Sequence, residues 1–262
     1  MPVIYLPDIR LNARLDGPAS APVLAFAHAL GTDLTIWDGL LGHLQGRFRT
    51  LVYDQRGHGG SDVPAPPYSM GALITDLERL LDHFALKDAV VIGASLGGLV
   101  AQGIAVKRLD LVRALVLSNT ATRIGTPDLW QRRIAEIRDN GLEAYAPSAM
   151  QRILGPRYLD HPELPYLHSL LTRTQPDGWT GCAAAIAGCD FYTTTAALRL
   201  PTLVIAGAND GTTPPDLVRE TAELIPGHHF ALMRGAGHLP MVEKPAEFAA
   251  LLVTFLSEIG HG

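Results

Sequence analysis

The chain has 262 residues, 47% of them hydrophobic, with a formal net charge of −5 and only two cysteines. That is enough length and apolar material for one α/β domain with an insertion, while the absence of a dense Lys/Arg cluster or an acidic tail argues against a nucleic-acid partner. No run of about 18 apolar residues occurs, which excludes a membrane-spanning helix. Met1 to Arg10, broken by Pro2, Pro7 and Asp8, does not read as a signal peptide. Cys182 and Cys189 form no C-x-x-C pair and read as buried free thiols, so the cytoplasm is the expected compartment.

Val3 to Leu15 carries two short strand-like pieces, expected to form an antiparallel edge hairpin. Apolar runs then recur at Val23 to Ala27, Thr50 to Tyr53, Ala89 to Ile92, Ala114 to Leu117, Leu203 to Ala206 and Phe230 to Met233. These runs do not alternate with polar residues, which suits strands covered on both faces and hence a mainly parallel sheet. Between them lie helical patterns. Met70, Leu73, Ile74, Leu77, Leu80, Leu81 and Phe84 form one apolar stripe. Behind Pro245, at a first helical position, Phe248, Leu251, Leu252, Phe255 and Leu256 form another. Such alternation predicts a three-layer α/β fold. One interval breaks the rhythm: about 80 residues from Asn119 to Pro201 show helical patterns and several prolines but no convincing strand, too long for a structureless loop. The expected organisation is a core from 1–119 and 199–262, with a helical cap over 120–198.

Chemistry enters at Gly93-Ala94-Ser95-Leu96-Gly97. In a chain with 26 glycines the bare G-x-S-x-G pentapeptide is weak evidence, but here it joins an apolar strand to a helical pattern beginning at Leu96. That is the setting of a nucleophile elbow, in which a sharp turn lifts the serine hydroxyl clear of the sheet. Gly93 and Gly97 are then small because strand and helix backbones approach closely there.

A serine hydroxyl needs a base to take its proton, and the base needs an orienting acid. Two later strands end in suitable loops, Gly207-Ala208-Asn209-Asp210 and Arg234-Gly235-Ala236-Gly237-His238. The order Ser95, Asp210, His238, each behind a parallel strand, designates nucleophile, acid and base. Taken alone, Asp210 would read as a turn or cap residue and His238 as one of ten histidines. Asp216 competes as the acid, but Pro214-Pro215-Asp216 opens the next helix. His228 and His229 precede the last strand, toward the wrong edge, and His58 lies in a glycine-rich loop. The backbone N–H groups of Leu96 and Leu30 are the expected oxyanion donors, each worth about 3 kcal/mol in the transition state; otherwise Leu30 is core packing. Asp54-Gln55-Arg56-Gly57-His58-Gly59 lacks the Lys-Ser/Thr ending of a phosphate loop.

Along nearly its full length the chain resembles the 3-oxoadipate enol-lactonases, hydrolases of the α/β-hydrolase fold. The resemblance rests on Leu30-Gly31-Thr32-Asp33-Leu34 with Trp37, Tyr53-Asp54 with Arg56-Gly57-His58-Gly59, and Gly93 to Gly98. It continues through Asn119-Thr120-Ala121, Arg123-Ile124-Gly125, Trp130, Gly178 to Ile186 and Pro201 to Asp210. His28-Ala29 and Gly237 to Met241 look instead like general esterases. The resemblance implies an α/β-hydrolase fold and opening of a small anionic enol-lactone to a keto-diacid in the β-ketoadipate pathway of aromatic degradation. It also implies an acyl-enzyme, no metal and no organic cofactor. The expected partner is therefore the lactone itself, with no nucleic acid and no membrane. On the same scaffold the alternatives are a carboxylesterase or a carbon–carbon bond hydrolase, and, from another class, a ligand-sensing receptor with an intact triad.

An anionic lactone entering a partly dry pocket calls for a cationic donor, and a planar guanidinium suits a carboxylate best. On a helix starting near Pro127, Trp130 and Arg133 share a face while Arg132 turns away. Arg133 is the expected clamp, Trp130 an apolar wall and Arg123 the reserve. The plain alternative leaves Arg133 as a solvated helix residue and Trp130 as cap core.

Overall fold

Each apolar run becomes a strand. The computed structural model describes residues 3–44 and 46–262, so Met1 and Pro2 of the stretch compared with a signal peptide lie outside the described residues. The strands are β1 (Val3–Tyr5), β2 (Arg10–Asp16), β3 (Val23–Ala27), β4 (Arg49–Tyr53), β5 (Ala89–Ala94), β6 (Val112–Ser118), β7 (Thr202–Gly207) and β8 (His229–Met233). Among the described residues they form one eight-stranded sheet in the order β1-β2-β4-β3-β5-β6-β7-β8. β1 pairs antiparallel with β2, and β2 with β4; every pairing from β4 to β8 is parallel. All residues of β5 and β7 are buried, which explains why their sequences carry no alternation: helices cover both faces.

Helices α1 (Asp38–Gly42), α2 (Met70–His83) and α3 (Leu96–Lys107) belong to the first part of the chain. The interval between β6 and β7 holds α4 (Pro127–Ile153), α5 (Leu164–Thr172), α6 (Pro176–Ala187) and α7 (Tyr192–Ala196). After β7 come α8 (Pro215–Glu223), α9 (Pro240–Glu243) and α10 (Pro245–Glu258). In α2 the residues Met70 through Leu81 of the apolar stripe are buried, and Ser69 caps the helix by accepting from the Ala72 N–H. Phe84 falls just outside as the C-cap. Its stripe also buries Asp76, which apolar patterning does not foresee; the reason is a buried pair with Arg56, whose Nε and Nη2 each lie 2.7 Å from an Asp76 oxygen. In α10 the stripe is buried apart from Leu251, which is half-buried.

Helix α4 is broken at Gly141, where φ is +78° and ψ 171°. The break turns the second half so that its end, Arg152 and Ile153, meets the loops after β7 and β8: the Gly211 N–H donates to the Arg152 carbonyl at 3.0 Å. On the other side, α6 docks on the loop after β4 through two glycines. A Cβ on Gly57 would stand 2.5 Å from the Gly178 Cα, and a Cβ on Gly178 would strike the Gly57 carbonyl. This contact sets the position of Trp179, which follows Gly178.

Because neither backbone can retreat without moving α6, Gly178→Ala is expected to destabilise by about 1–3 kcal/mol, as overpacked sites do. A urea titration should show a lower midpoint with an unchanged slope. An unchanged midpoint would mean that the α6 contact is loose.

Candidate active site

The turn between β5 and α3 places Ser95 at φ +54°, ψ −113°, a region that L-residues avoid and that typically costs about 1–3 kcal/mol. Neighbouring hydrogen bonds hold it there. The Ser95 N–H donates to the Ser118 carbonyl at 3.0 Å, and the Ser95 carbonyl accepts from the Gly98 N–H at 2.9 Å and from the Thr120 hydroxyl at 2.7 Å. A Cβ on Gly93 would collide with the Gly97 carbonyl, as expected for an elbow. Gly97 is small for a different reason: its face presses on the Ala27 carbonyl at the end of β3.

Asp210 and His238 meet behind this turn. His238 Nδ1 lies 2.7 Å from Asp210 Oδ2, and both side chains are buried. The remaining carboxylate capacity is filled: Thr213 Oγ1 donates to Oδ2 at 2.6 Å, Asn119 Nδ2 at 2.8 Å, and the Thr212 and Thr213 N–H groups to Oδ1 at 2.7 and 3.1 Å. Burial pushes the Asp210 carboxyl up, but His238 and these donors outweigh it and hold the acid below its ordinary range. The His238 N–H is tied to the Ile153 carbonyl at the end of α4. Asp216, the rival carboxylate, is exposed in the first turn of α8; His228 and His229 lie at the opposite end of β8. Asn119 and Thr213 were not singled out as partners of the acid. Asn119 directly follows β6 at the same sheet edge and has φ +48°, a placement the strand pattern alone made visible.

The loop after β3 is built on two neutral histidines. The Gln55 N–H donates to His28 Nε2 at 2.9 Å, while His28 Nδ1 faces the Ala29 carbonyl at 2.8 Å. The Gly31 N–H donates to His58 Nε2 at 2.9 Å, and His58 Nδ1 faces the Arg56 carbonyl at 3.2 Å. Each ring therefore accepts at Nε2 and carries its proton on Nδ1. Burial lowers both pKa values, that of His58 to about 3 with a further push from His28. The Leu30 N–H, held between these anchors, has no acceptor among the described residues. Nor has the Leu96 N–H, which opens α3 and has no helical partner four residues back.

A cavity opens between these loops and the helices from α4 to α6. Ser95, His238 and Leu30 line it, as do Trp130 and Arg133. Arg133 is half-buried, its guanidinium 4.9 Å from the centre of the Trp130 ring. Arg123 is not brought to the cavity: it is exposed and lies 3.9 Å from Asp190. Arg152, which sequence reading passed over, does line it, and so do Tyr145 and Trp179. The Gly141 break hid this residue, because no regular helical wheel carries a face across it. Among the described residues no cluster of His, Cys, Asp or Glu is arranged to hold a metal ion.

A family model of the alpha/beta hydrolase fold matches residues 22–245. The chain belongs to the alpha/beta-hydrolase family. Within it, the resemblance to the 3-oxoadipate enol-lactonases is borne out. The chain is 34% identical to 3-oxoadipate enol-lactonase 2 of Acinetobacter baylyi, over 92% of its own length and 91% of that protein. The solved enol-lactonase of Burkholderia xenovorans LB400 superposes with a TM-score of 0.94 at 31% identity, covering 98% of this chain and all of that one. A putative carbamate hydrolase RutD of Caulobacter sp. is 28% identical over 92% of this chain and 93% of its own. This alpha/beta hydrolase is thus an enzyme acting on lactones or esters.

The neutral histidines make its stability pH-dependent. His58 has a folded pKa of about 3 against an ordinary 6.5, so the unfolded chain binds the extra proton between these values. Stability is therefore full above about 6.5 and falls on acidification, by up to about 1.4 kcal/mol per pH unit for each such group. His58→Gln keeps an acceptor for the Gly31 N–H but cannot titrate, so its urea midpoint should fall less between pH 6.5 and 4.5 than that of the unsubstituted protein. Parallel pH profiles would remove His58 from this role.

Proposed function

We propose that this alpha/beta hydrolase opens 3-oxoadipate enol-lactone to 3-oxoadipate in aromatic degradation by the β-ketoadipate pathway. Ser95 attacks the lactone carbonyl while His238, oriented by Asp210, takes its proton, and the Leu30 and Leu96 N–H groups receive the oxyanion. The enol oxygen leaves and tautomerises to a ketone, which draws ring opening forward. Water activated by His238 then releases the acyl group from Ser95. The helical segment 120–198 acts as the cap that closes the pocket over the core, and the two buried free thiols fit a cytoplasmic enzyme.

The observation that carries this reading is Arg133. It lines the cavity with Ser95, is half-buried, and has no ion-pair or hydrogen-bond partner among the described residues. Burial lowers its pKa, so an incoming carboxylate regains for it the charge compensation lost with water. Trp130 is the wall beneath: its Nε1 donates to the Ile124 carbonyl at 2.6 Å, which fixes the ring under the guanidinium. A neutral ester gains nothing from this arrangement.

Freshly generated enol-lactone, followed by its ultraviolet loss, is the direct test. Arg133→Ala should lower the ratio of kcat/KM for the lactone to that for a neutral activated ester by 30- to 1,000-fold, or about 2–4 kcal/mol. An unchanged ratio removes Arg133 from substrate binding, and neutral esters hydrolysed faster than the lactone would move the enzyme to the carboxylesterases.

Ser95→Ala should cost several orders of magnitude in kcat on either substrate while the fold persists, since one side-chain oxygen is lost. An alanine variant with a tenth of the original kcat would sink the nucleophile assignment.

A further inference from the structure

Arg152 is a second cation in the same cavity, and it too lacks a carboxylate partner among the described residues. Its Nη2 donates to the Tyr145 hydroxyl at 2.6 Å, its guanidinium carbon lies 5.4 Å from the Tyr145 ring centre, and its Nε is buried without an acceptor. Nη1 makes one long contact, 3.5 Å, to the Ser148 carbonyl. That buried Nε has lost hydration without gaining an acceptor, which is costly unless a ligand supplies one. The two guanidiniums also repel each other: Arg152 adds to the lowering of the Arg133 pKa that burial begins. Glu136, the acidic residue that acts on Arg133, forms no ion pair with it.

The two cations are held apart. Arg133 stacks on Trp130 and Arg152 on Tyr145. Trp179 touches both rings, with centroids 6.2 Å and 5.5 Å away, while Trp130 and Tyr145 make no ring contact with each other among the described residues. Arg133 and Arg152 are thus two separately seated cations, each without a carboxylate partner among the described residues. The roots of the two residues also differ. The Arg152 carbonyl accepts from Gly211, next to Asp210, and the following carbonyl, that of Ile153, accepts from His238. Arg152 thus springs from the chain beside the acid and base, whereas Arg133 lies on the far half of α4.

We propose that Arg152 forms a second carboxylate subsite, so that the cavity takes a small aliphatic dicarboxylate with one end on Arg133 and the other on Arg152. The proposal deepens the lactonase reading and rests on it for the role of Arg133. In that reaction the substrate carries one carboxylate. Cleavage of the acyl C–O bond by water places a second on the former acyl carbon, while the enolate leaving group takes up a proton on its vinylic carbon and becomes a ketone. The new charge appears at the Ser95 and His238 end, where Arg152 is rooted. The pocket then binds its product more tightly than its substrate, and product release limits turnover as product accumulates.

The test is competition against hydrolysis of p-nitrophenyl acetate, a neutral ester, by adipate, its monomethyl ester and hexanoate at pH 7.5. Adipate should inhibit with a Ki at least about tenfold below those of the two monoanions, as expected for one added charge-assisted contact. Arg152→Gln should bring the three Ki values within about threefold of one another, and Arg152→Lys should restore part of the preference. Equal Ki values in the unsubstituted protein, or a preference that survives Arg152→Gln, overturns the proposal. If Arg152→Gln fails to fold by circular dichroism, the unsubstituted protein and the lysine variant still decide. Lactone opening is measured separately: an enzyme that prefers adipate but leaves the lactone intact refutes the lactonase reading alone. One that opens the lactone without preferring adipate refutes the second subsite alone.

Discussion

Three backbones converge at the end of β5, and the rest of the site is arranged around that convergence. Gly93 faces the Gly97 carbonyl, Gly97 faces the Ala27 carbonyl of β3, and Ser95 between them is left with a positive φ. Such a conformation persists only where its surroundings over-determine it. Here the surroundings are a wholly buried strand, a helix buried from Leu96 to Ala105, and four hydrogen bonds on the Ser95 N–H and carbonyl. The strain is thereby held between wholly buried elements, and Ser95 opens on the cavity at the edge where the parallel strands end.

The same edge carries every other polar group of the proposed mechanism, because parallel strands all finish on one side of the sheet. Asn119 follows β6, Asp210 follows β7 and His238 follows β8. Asn119 links the three by donating both to Asp210 and, at 3.1 Å, to the Gly237 carbonyl. The loop after β3 has a different support. His28 and His58 provide it, as neutral acceptors in a buried setting where a charged ring would be unfavourable. Glu243 joins the far side by accepting from Gly155 at 2.8 Å and Gly237 at 2.9 Å, which ties the stretch just after α4 to the loop of the proposed base.

Electrostatically the pocket is unlike the rest of the chain. The protein carries a net charge of −5, and several of its arginines pair with carboxylates, as in the pairs of Arg10 with Asp62 and Arg108 with Asp82. Arg133 and Arg152 are instead set against aromatic faces, which hold a guanidinium in place without discharging it. The cavity thus joins an aromatic wall to two cations without a carboxylate partner among the described residues, which is the basis of the proposed preference for anions.

Much of this was legible in the sequence because it is local. Non-alternating apolar runs such as Ala89 to Ile92 and Leu203 to Ala206 read as strands covered on both sides and are so, whereas Phe230 to Met233 forms the edge strand β8, only partly covered because no strand lies beyond it. Glycine spacing around Ser95 marks a tight turn, and the loops behind β7 and β8 declare their polar tips. Arg133 followed Trp130 by helical spacing, which needs no tertiary knowledge. What lay beyond reach depends on how distant segments meet. Arg123 follows the end of β6 closely in sequence, yet its side chain turns out toward Asp190, because direction at a strand exit is set by packing rather than by spacing. Arg152 comes back to the cavity only because Gly141 breaks α4, and the length of helix beyond a break, not its periodicity, decides where its end lands. The sequence by itself determined the sheet, the elbow and the order of the polar groups, which follow from patterns of a few residues. Only the tertiary structure decided which cations face the cavity and that they face it unpaired, since a missing partner is a property of everything around a side chain.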